Sequence, residues 1–68
     1  MKKDVINVAG KIWKLLSEKG EINIAGIPRI LKEKSVIAYQ GIGWLAREDK
    51  IENRTSGDKV FISLINES

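Results

Sequence analysis

Neither cysteine nor histidine occurs anywhere in the 68 residues. The first absence removes disulfides and thiolate metal sites as sources of stability. The second removes the commonest metal ligand and the commonest general base. Aromatic residues are few, namely Trp13, Tyr39, Trp44 and Phe61, and Pro28 is the sole proline. Long apolar runs are missing too. The stretch from Val5 to Leu16 is interrupted by Asn7, Lys11 and Lys14, so neither a signal-peptide core nor a membrane span is expected, and the expected compartment is the cytoplasm. The glycines form no phosphate-binding loop, because Gly41-Ile42-Gly43 falls inside a helical stretch rather than at a strand-to-helix turn. Ser17, Ser35, Ser56 and Ser63 have no histidine to activate them. The carboxylates are scattered among Lys and Arg rather than gathered for an all-oxygen metal site. No catalytic activity, cofactor, metal or small-molecule substrate is therefore expected.

What is present describes a folded chain: 43% hydrophobic and 31% charged residues, with a formal net charge of +3. The length suits one domain over residues 1–68. A chain of this size buries only about 60% of the surface it exposes when unfolded, so its stability should be marginal. With disulfides and metals excluded, docking onto a second copy is the obvious further source of burial. The positive balance permits an acidic partner, nucleic acid above all, without demanding one.

Apolar residues at Val5, Ile6, Val8, Ala9, Ile12, Trp13, Leu15 and Leu16 follow the helical template and predict a first helix over Asp4–Lys19. Asp4 is the expected N-cap and Gly20 the expected terminator. The stripe covers close to half the helix, and Trp13 within it reads as core. Glu21-Ile22-Asn23-Ile24 alternates in the manner of a short strand. A second helix is predicted from about Ala25 to Lys32, burying Ile27, Ile30 and Leu31, with Pro28 in its first turn. After a tight connection at Glu33-Lys34, a third helix is predicted over Ser35–Glu48 with Ser35 as its N-cap. At 100° per residue its core stripe is Ala38, Gly41, Ile42 and Leu45. Val36, Gln40, Gly43 and Arg47 point away, with Tyr39 and Trp44 on opposite flanks. Ile51–Arg54 and Lys59–Leu64 read as a hairpin turning at Thr55-Ser56-Gly57-Asp58. Val60, Ile62 and Leu64 share one of its faces, and Phe61 and Ser63 the other. Asn66-Glu67-Ser68 are expected to fray. Helix, strand, helix, turn, helix, hairpin is the order of a winged helix-turn-helix: α+β, mainly α, with three helices, a small antiparallel sheet and a C-terminal hairpin wing.

Gly43-Trp44-Leu45-Ala46-Arg47-Glu48-Asp49-Lys50-Ile51, together with Ala9-Gly10-Lys11-Ile12-Trp13 and Gly20-Glu21-Ile22, resembles a family of short bacterial and archaeal winged helix-turn-helix proteins without an assigned function. The resemblance spans nearly the whole chain. It implies the fold and a capacity to self-associate, and it transfers no active site. Two positions depart from the family pattern. Ala25 stands where a serine cap is usual, and Lys32-Glu33-Lys34 lacks the usual glycine.

A winged helix that reads DNA lays its third helix in the major groove and touches the neighbouring backbone with the wing. On that reading Lys34, Ser35 and Gln40 face the bases of double-stranded DNA, while Arg29, Lys32, Arg54 and Lys59 meet phosphates. Gln40 is equally an ordinary solvated residue, Arg47 suits the macrodipole at a helix C-terminus, and Glu33, Glu52 and Asp58 interrupt the basic rim. The competing expectation is a protein-contact or homodimer surface built from Val8, Leu15, Val36, Ile37, Tyr39 and Trp44, in which Trp44 either closes the core or anchors a partner.

Overall fold

The computed structural model describes residues 2–65, with side chains from Asp4 to Ile65. The expectation for residues 66–68 lies outside that range. Helix α1 (Lys2–Lys19) begins earlier than expected, which makes Asp4 a first-turn residue rather than the N-cap. Its charge still suits the positive end of the helix dipole. The helix stops at Gly20, which takes φ +87° while its N–H donates to the Leu16 carbonyl at 2.8 Å. A residue with a Cβ adopts that backbone only with strain.

Strand β1 (Glu21–Asn23) follows. The expected helix over Ala25–Lys32 divides in two: a 3-10 turn over Ile24–Gly26 and a five-residue helix α2 (Ile27–Leu31). The cap missing at Ala25 is supplied upstream, where Asn23 accepts a hydrogen bond from the Ala25 N–H at 2.9 Å. Pro28 sits in the first turn of α2, as its missing N–H requires. Ile27 is completely buried and Leu31 packs on the core, but Ile30 is 51% exposed, contrary to expectation. A helix of little more than one turn presents only one side to the core, and Ile27 and Leu31 occupy it.

Lys32 ends α2 in the left-handed conformation, φ 58°, a backbone that glycine adopts most readily. Helix α3 (Ser35–Arg47) then starts with Lys34 as N-cap, so Ser35 is the first helical residue and not the cap. Ala38, Gly41 and Leu45 are its buried residues, with Ile42 half-buried at the edge. Strands β2 (Ile51–Ser56) and β3 (Lys59–Leu64) form a hairpin closed by Gly57-Asp58. Positive φ at Gly57 alone is the pattern of a II′ turn. The turn is thus two residues long, not four, and β2 runs on to Ser56. The sheet order is β1-β3-β2, all antiparallel, with Ile22 opposite Ile62 and Ile51 opposite Leu64.

One core joins these elements: Val8, Ala9, Ile12 and Leu16 of α1, Ile27, Ala38 and Leu45 of the other helices, and Ile51 and Ile62 of the sheet. Where α1 crosses α3 the helices are in near contact. A Cβ on Gly41 would lie 3.1 Å from Ile12 Cδ1, 3.1 Å from Val8 Cγ1 and 3.2 Å from the Ala9 backbone nitrogen. Helix α3 is thereby held with one face fixed and the opposite one outward. The result is a winged helix-turn-helix of the α+β class, as its element order suggested.

Candidate functional site

The turn between α2 and α3 gathers the first group of candidate residues. Lys32 is fixed by its left-handed backbone, and its N–H donates to the Arg29 carbonyl at 3.2 Å. The next N–H, from Glu33, donates to the Pro28 carbonyl at 3.0 Å. Lys34 then caps α3 through its backbone alone, with no side-chain bond, while its carbonyl accepts from the Ala38 N–H at 2.9 Å. Lys32, Lys34 and Ser35 therefore stand together, exposed, at the entrance of α3, with Arg29 exposed on α2. Glu33, in the middle of this basic turn, is drawn toward α1, where its carboxylate accepts from Lys11 Nζ at 3.0 Å. That pair leaves the charge of the neighbouring lysines less opposed.

Along α3 the outward face is Val36, Gln40, Gly43 and Arg47, all exposed, with Tyr39 on one flank and Ile37 and Trp44 half-buried on the other. Val36, at 67% exposure, and Tyr39, at 45%, are large apolar groups left in solvent on an otherwise polar face. Nothing lies within 4 Å of where a Cβ on Gly43 would stand.

The wing brings together residues that sequence reasoning kept apart. Side chains of Glu21, Arg54 and Phe61 share the sheet face turned away from the core, because the register sets Arg54 opposite Phe61 and Phe61 opposite Asn23. Arg54 grips Glu21 with two hydrogen bonds, Nε to Oε2 at 3.1 Å and a terminal nitrogen to Oε1 at 2.7 Å. Its guanidinium also lies 4.8 Å above the Phe61 ring, a cation–π contact. The hydrogen bond from Arg54 holds the Glu21 carboxyl below its ordinary pKa, partial desolvation opposes the shift, and the charge of Arg54 adds to it. Arg54 is raised in turn, chiefly by the same bond. Of the two wing cations, Arg54 is thus engaged within the molecule, and Lys59, beside the turn, is exposed and joins no ion pair among the described residues.

The alternative contact surface is only partly assembled. Val8 is 3% exposed and Leu15 9%, so both are core residues rather than surface anchors. The close crossing of α1 on α3 covers the edge on which Val8 lies. Trp13 shows the reverse: expected in the core, it is 48% exposed. The apolar stripe of α1 is wider than the area its partners cover, and Ile6 and Trp13, seven residues apart on one flank, spill over. With Trp44, Leu45 and Lys50 they line a shallow apolar groove of about 240 Å³. A second cleft of about 300 Å³ is walled by Asp4, Asn7, Lys11 and Glu33 together with the apolar Val8 and Ile37. Among the described residues no helix is long and apolar enough to cross a membrane, and no group of three potential metal ligands stands together.

Comparison with known proteins agrees with this architecture. The family described as "Winged helix-turn-helix domain (DUF2582)" matches residues 1–64. A protein of Methanocaldococcus jannaschii, named "Uncharacterized protein MJ1608", is 52% identical over 46 residues, which is 63% of this chain and 64% of that protein. The chain therefore spans just under two thirds of that relative.

Proposed function

Because the chain belongs to the winged helix-turn-helix domain family (DUF2582), we propose that it binds double-stranded DNA as a small cytoplasmic transcription regulator or chromosome-associated factor. Its fold suits DNA binding, and one observation carries the proposal. The face of α3 from Lys34 to Arg47 stands uncovered while the opposite face is locked in the core, and the entrance to that helix is ringed by Arg29, Lys32 and Lys34. Lys34, Ser35 and Gln40 approach the bases, and Arg29, Lys32 and Lys59 meet phosphates. Arg54 contributes only when a phosphate displaces Glu21. The chain carries out no catalysis.

Self-association fits the same surface inventory, since Ile6 and Trp13 remain exposed on α1 in a domain too small to bury much surface alone. A homodimer should give twice the chain mass in light scattering at high micromolar concentration. A single-chain mass there would remove it.

Fluorescence anisotropy of labelled duplex DNA across a salt series tests the main reading. Binding should weaken with salt by about 0.9 log unit per log unit for each phosphate engaged, and removing Lys32 should lower that slope by about one contact. Absence of binding at low salt would overturn the reading. Val36 and Tyr39, exposed beside Ile37 and Trp44, would then favour a protein-contact module. The double change Lys34→Ala with Gln40→Ala separates the two, because it should abolish DNA binding and leave a protein contact intact.

A further inference from the structure

The outward face of α3 carries chemistry that distinguishes one class of base pair. Val36, Gln40 and Gly43 follow one another at i, i+4 and i+7 on that face, all exposed, and Val36 is its most exposed apolar group at 67%. In the major groove the feature an aliphatic side chain can recognise is the thymine C5-methyl. The bidentate partner of a glutamine is the N6/N7 edge of adenine, whereas guanine is usually taken by arginine or lysine. From Ser35 to Ala46 the helix has no arginine or lysine, and its sole arginine is Arg47 in the last turn. The N-terminal part of a recognition helix is the part that meets base edges, which favours Val36 and Gln40 over Arg47. Four residues advance a helix by about 6 Å, close to two steps of about 3.4 Å along DNA. A Cβ on Gly43 would meet nothing within 4 Å, so no side chain holds the middle of the helix away from the groove floor.

Resting on the DNA-binding reading above, we propose that this protein selects A·T pairs through the major groove. Val36 packs on a thymine methyl and Gln40 hydrogen-bonds an adenine within about two steps of it. Lys32, at the helix entrance, stays with the phosphates.

The test is competition anisotropy with the full chain at fixed salt, using four duplexes of one length: A·T-rich, G·C-rich, A·T-rich with deoxyuridine replacing thymidine, and inosine·cytosine. Deoxyuridine removes only the methyl group. Inosine·cytosine presents a minor groove like that of A·T and a major groove like that of G·C. The A·T duplex should bind about tenfold tighter than the G·C and inosine·cytosine duplexes, in keeping with the discrimination of one good bidentate pair. Deoxyuridine should weaken wild-type binding about threefold, the scale of one buried methyl group. That loss should be smaller for Val36→Ala, whose shorter side chain covers less of the methyl, and circular dichroism of this exposed-site variant should match the wild type. Equal binding of all four duplexes would overturn the proposal while leaving DNA binding intact. So would a preference for G·C, which would move the readout to Lys34, or tight binding of inosine·cytosine, which would place it in the minor groove. Failure to bind any duplex would remove the underlying DNA reading and this proposal with it.

Discussion

Gly41 and Gly43 stand two residues apart on α3 and meet opposite surroundings. A Cβ on the first would press on Ile12, Val8 and the Ala9 backbone at 3.1 to 3.2 Å, while a Cβ on the second would meet nothing within 4 Å. The same residue type thus serves contact at one position and leaves space at the other. The inner face of α3 is determined by packing, which tolerates few changes. The outer face is free of the fold, and its side chains are available for a partner. Folding and recognition are divided between two sides of one helix, so each can be altered with limited effect on the other.

The strongest way to break the inner side is at its centre. Ile12 is completely buried, and Ile12→Ala should destabilise by about 2–5 kcal/mol through lost contacts and the cavity left behind. In so small a domain that is enough to lower the urea midpoint steeply, or to unfold the protein at ambient temperature. Gly41→Ala should be next, at about 1–3 kcal/mol for forcing α1 and α3 apart, lessened by the better helix propensity of alanine. Urea unfolding with an unchanged m-value would register it, and a raised midpoint would show that the helices separate without cost. Gly43→Ala should act in the opposite direction, raising stability by about 0.5–1 kcal/mol. The same change should weaken DNA binding if α3 approaches the groove as closely as proposed, so thermal midpoint and affinity should diverge in this one variant.

The smallest effect is expected at the Glu21–Arg54 pair, which is exposed and belongs to neither side of α3. Glu21 has a lowered pKa in the folded protein, so between that value and the ordinary glutamate value the unfolded chain binds more protons. The stability contributed by the pair is therefore complete above the ordinary carboxylate range and is lost as pH falls through the folded value. The thermal midpoints of wild type and Glu21→Gln should differ slightly at pH 7 and converge in acid. A constant difference down to low pH would show that the pair contributes through shape alone.

Much of this architecture could be read from the sequence because the informative signals are local. Periodicity located α1 and α3, Gly20 ended α1, and the core stripe of α3 emerged correctly from a helical wheel. Cross-strand placement of Arg54 and Phe61 was also within reach, since a two-residue turn at Gly57-Asp58 sets Arg54 opposite Phe61. A four-residue turn over 55–58 would instead set Arg54 opposite Lys59. The errors came where tertiary contact decides. Trp13, Val8 and Leu15 lie on one amphipathic helix, and its packing against α3, the sheet and α2 determines which flank is covered. Asn23 caps the 3-10 turn, and residue pattern does not separate such a turn from the first turn of an α-helix. Glu21 as the partner of Arg54 depends on pairing between distant strands, about which local pattern is silent. The candidate site was legible as a set of residue types on α3 and the preceding turn. That Glu33 and Arg54 are occupied by Lys11 and Glu21 required the three-dimensional arrangement.

The strand order carries a consequence for the domain while it is being synthesised. The middle strand, β3, is the last of the three to be synthesised. Until residues 59–64 leave the ribosome, β1 and β2 have no neighbour to pair with, and the helices lack Ile62 to close their core. At about 5–20 residues per second, the nascent chain spends on the order of seconds as a set of amphipathic helices with one side bare. Pairing of β1 with β3 then joins segments some forty residues apart, a non-local step that slows folding. Assembly of the domain is thus a late event, gated by delivery of its final strand.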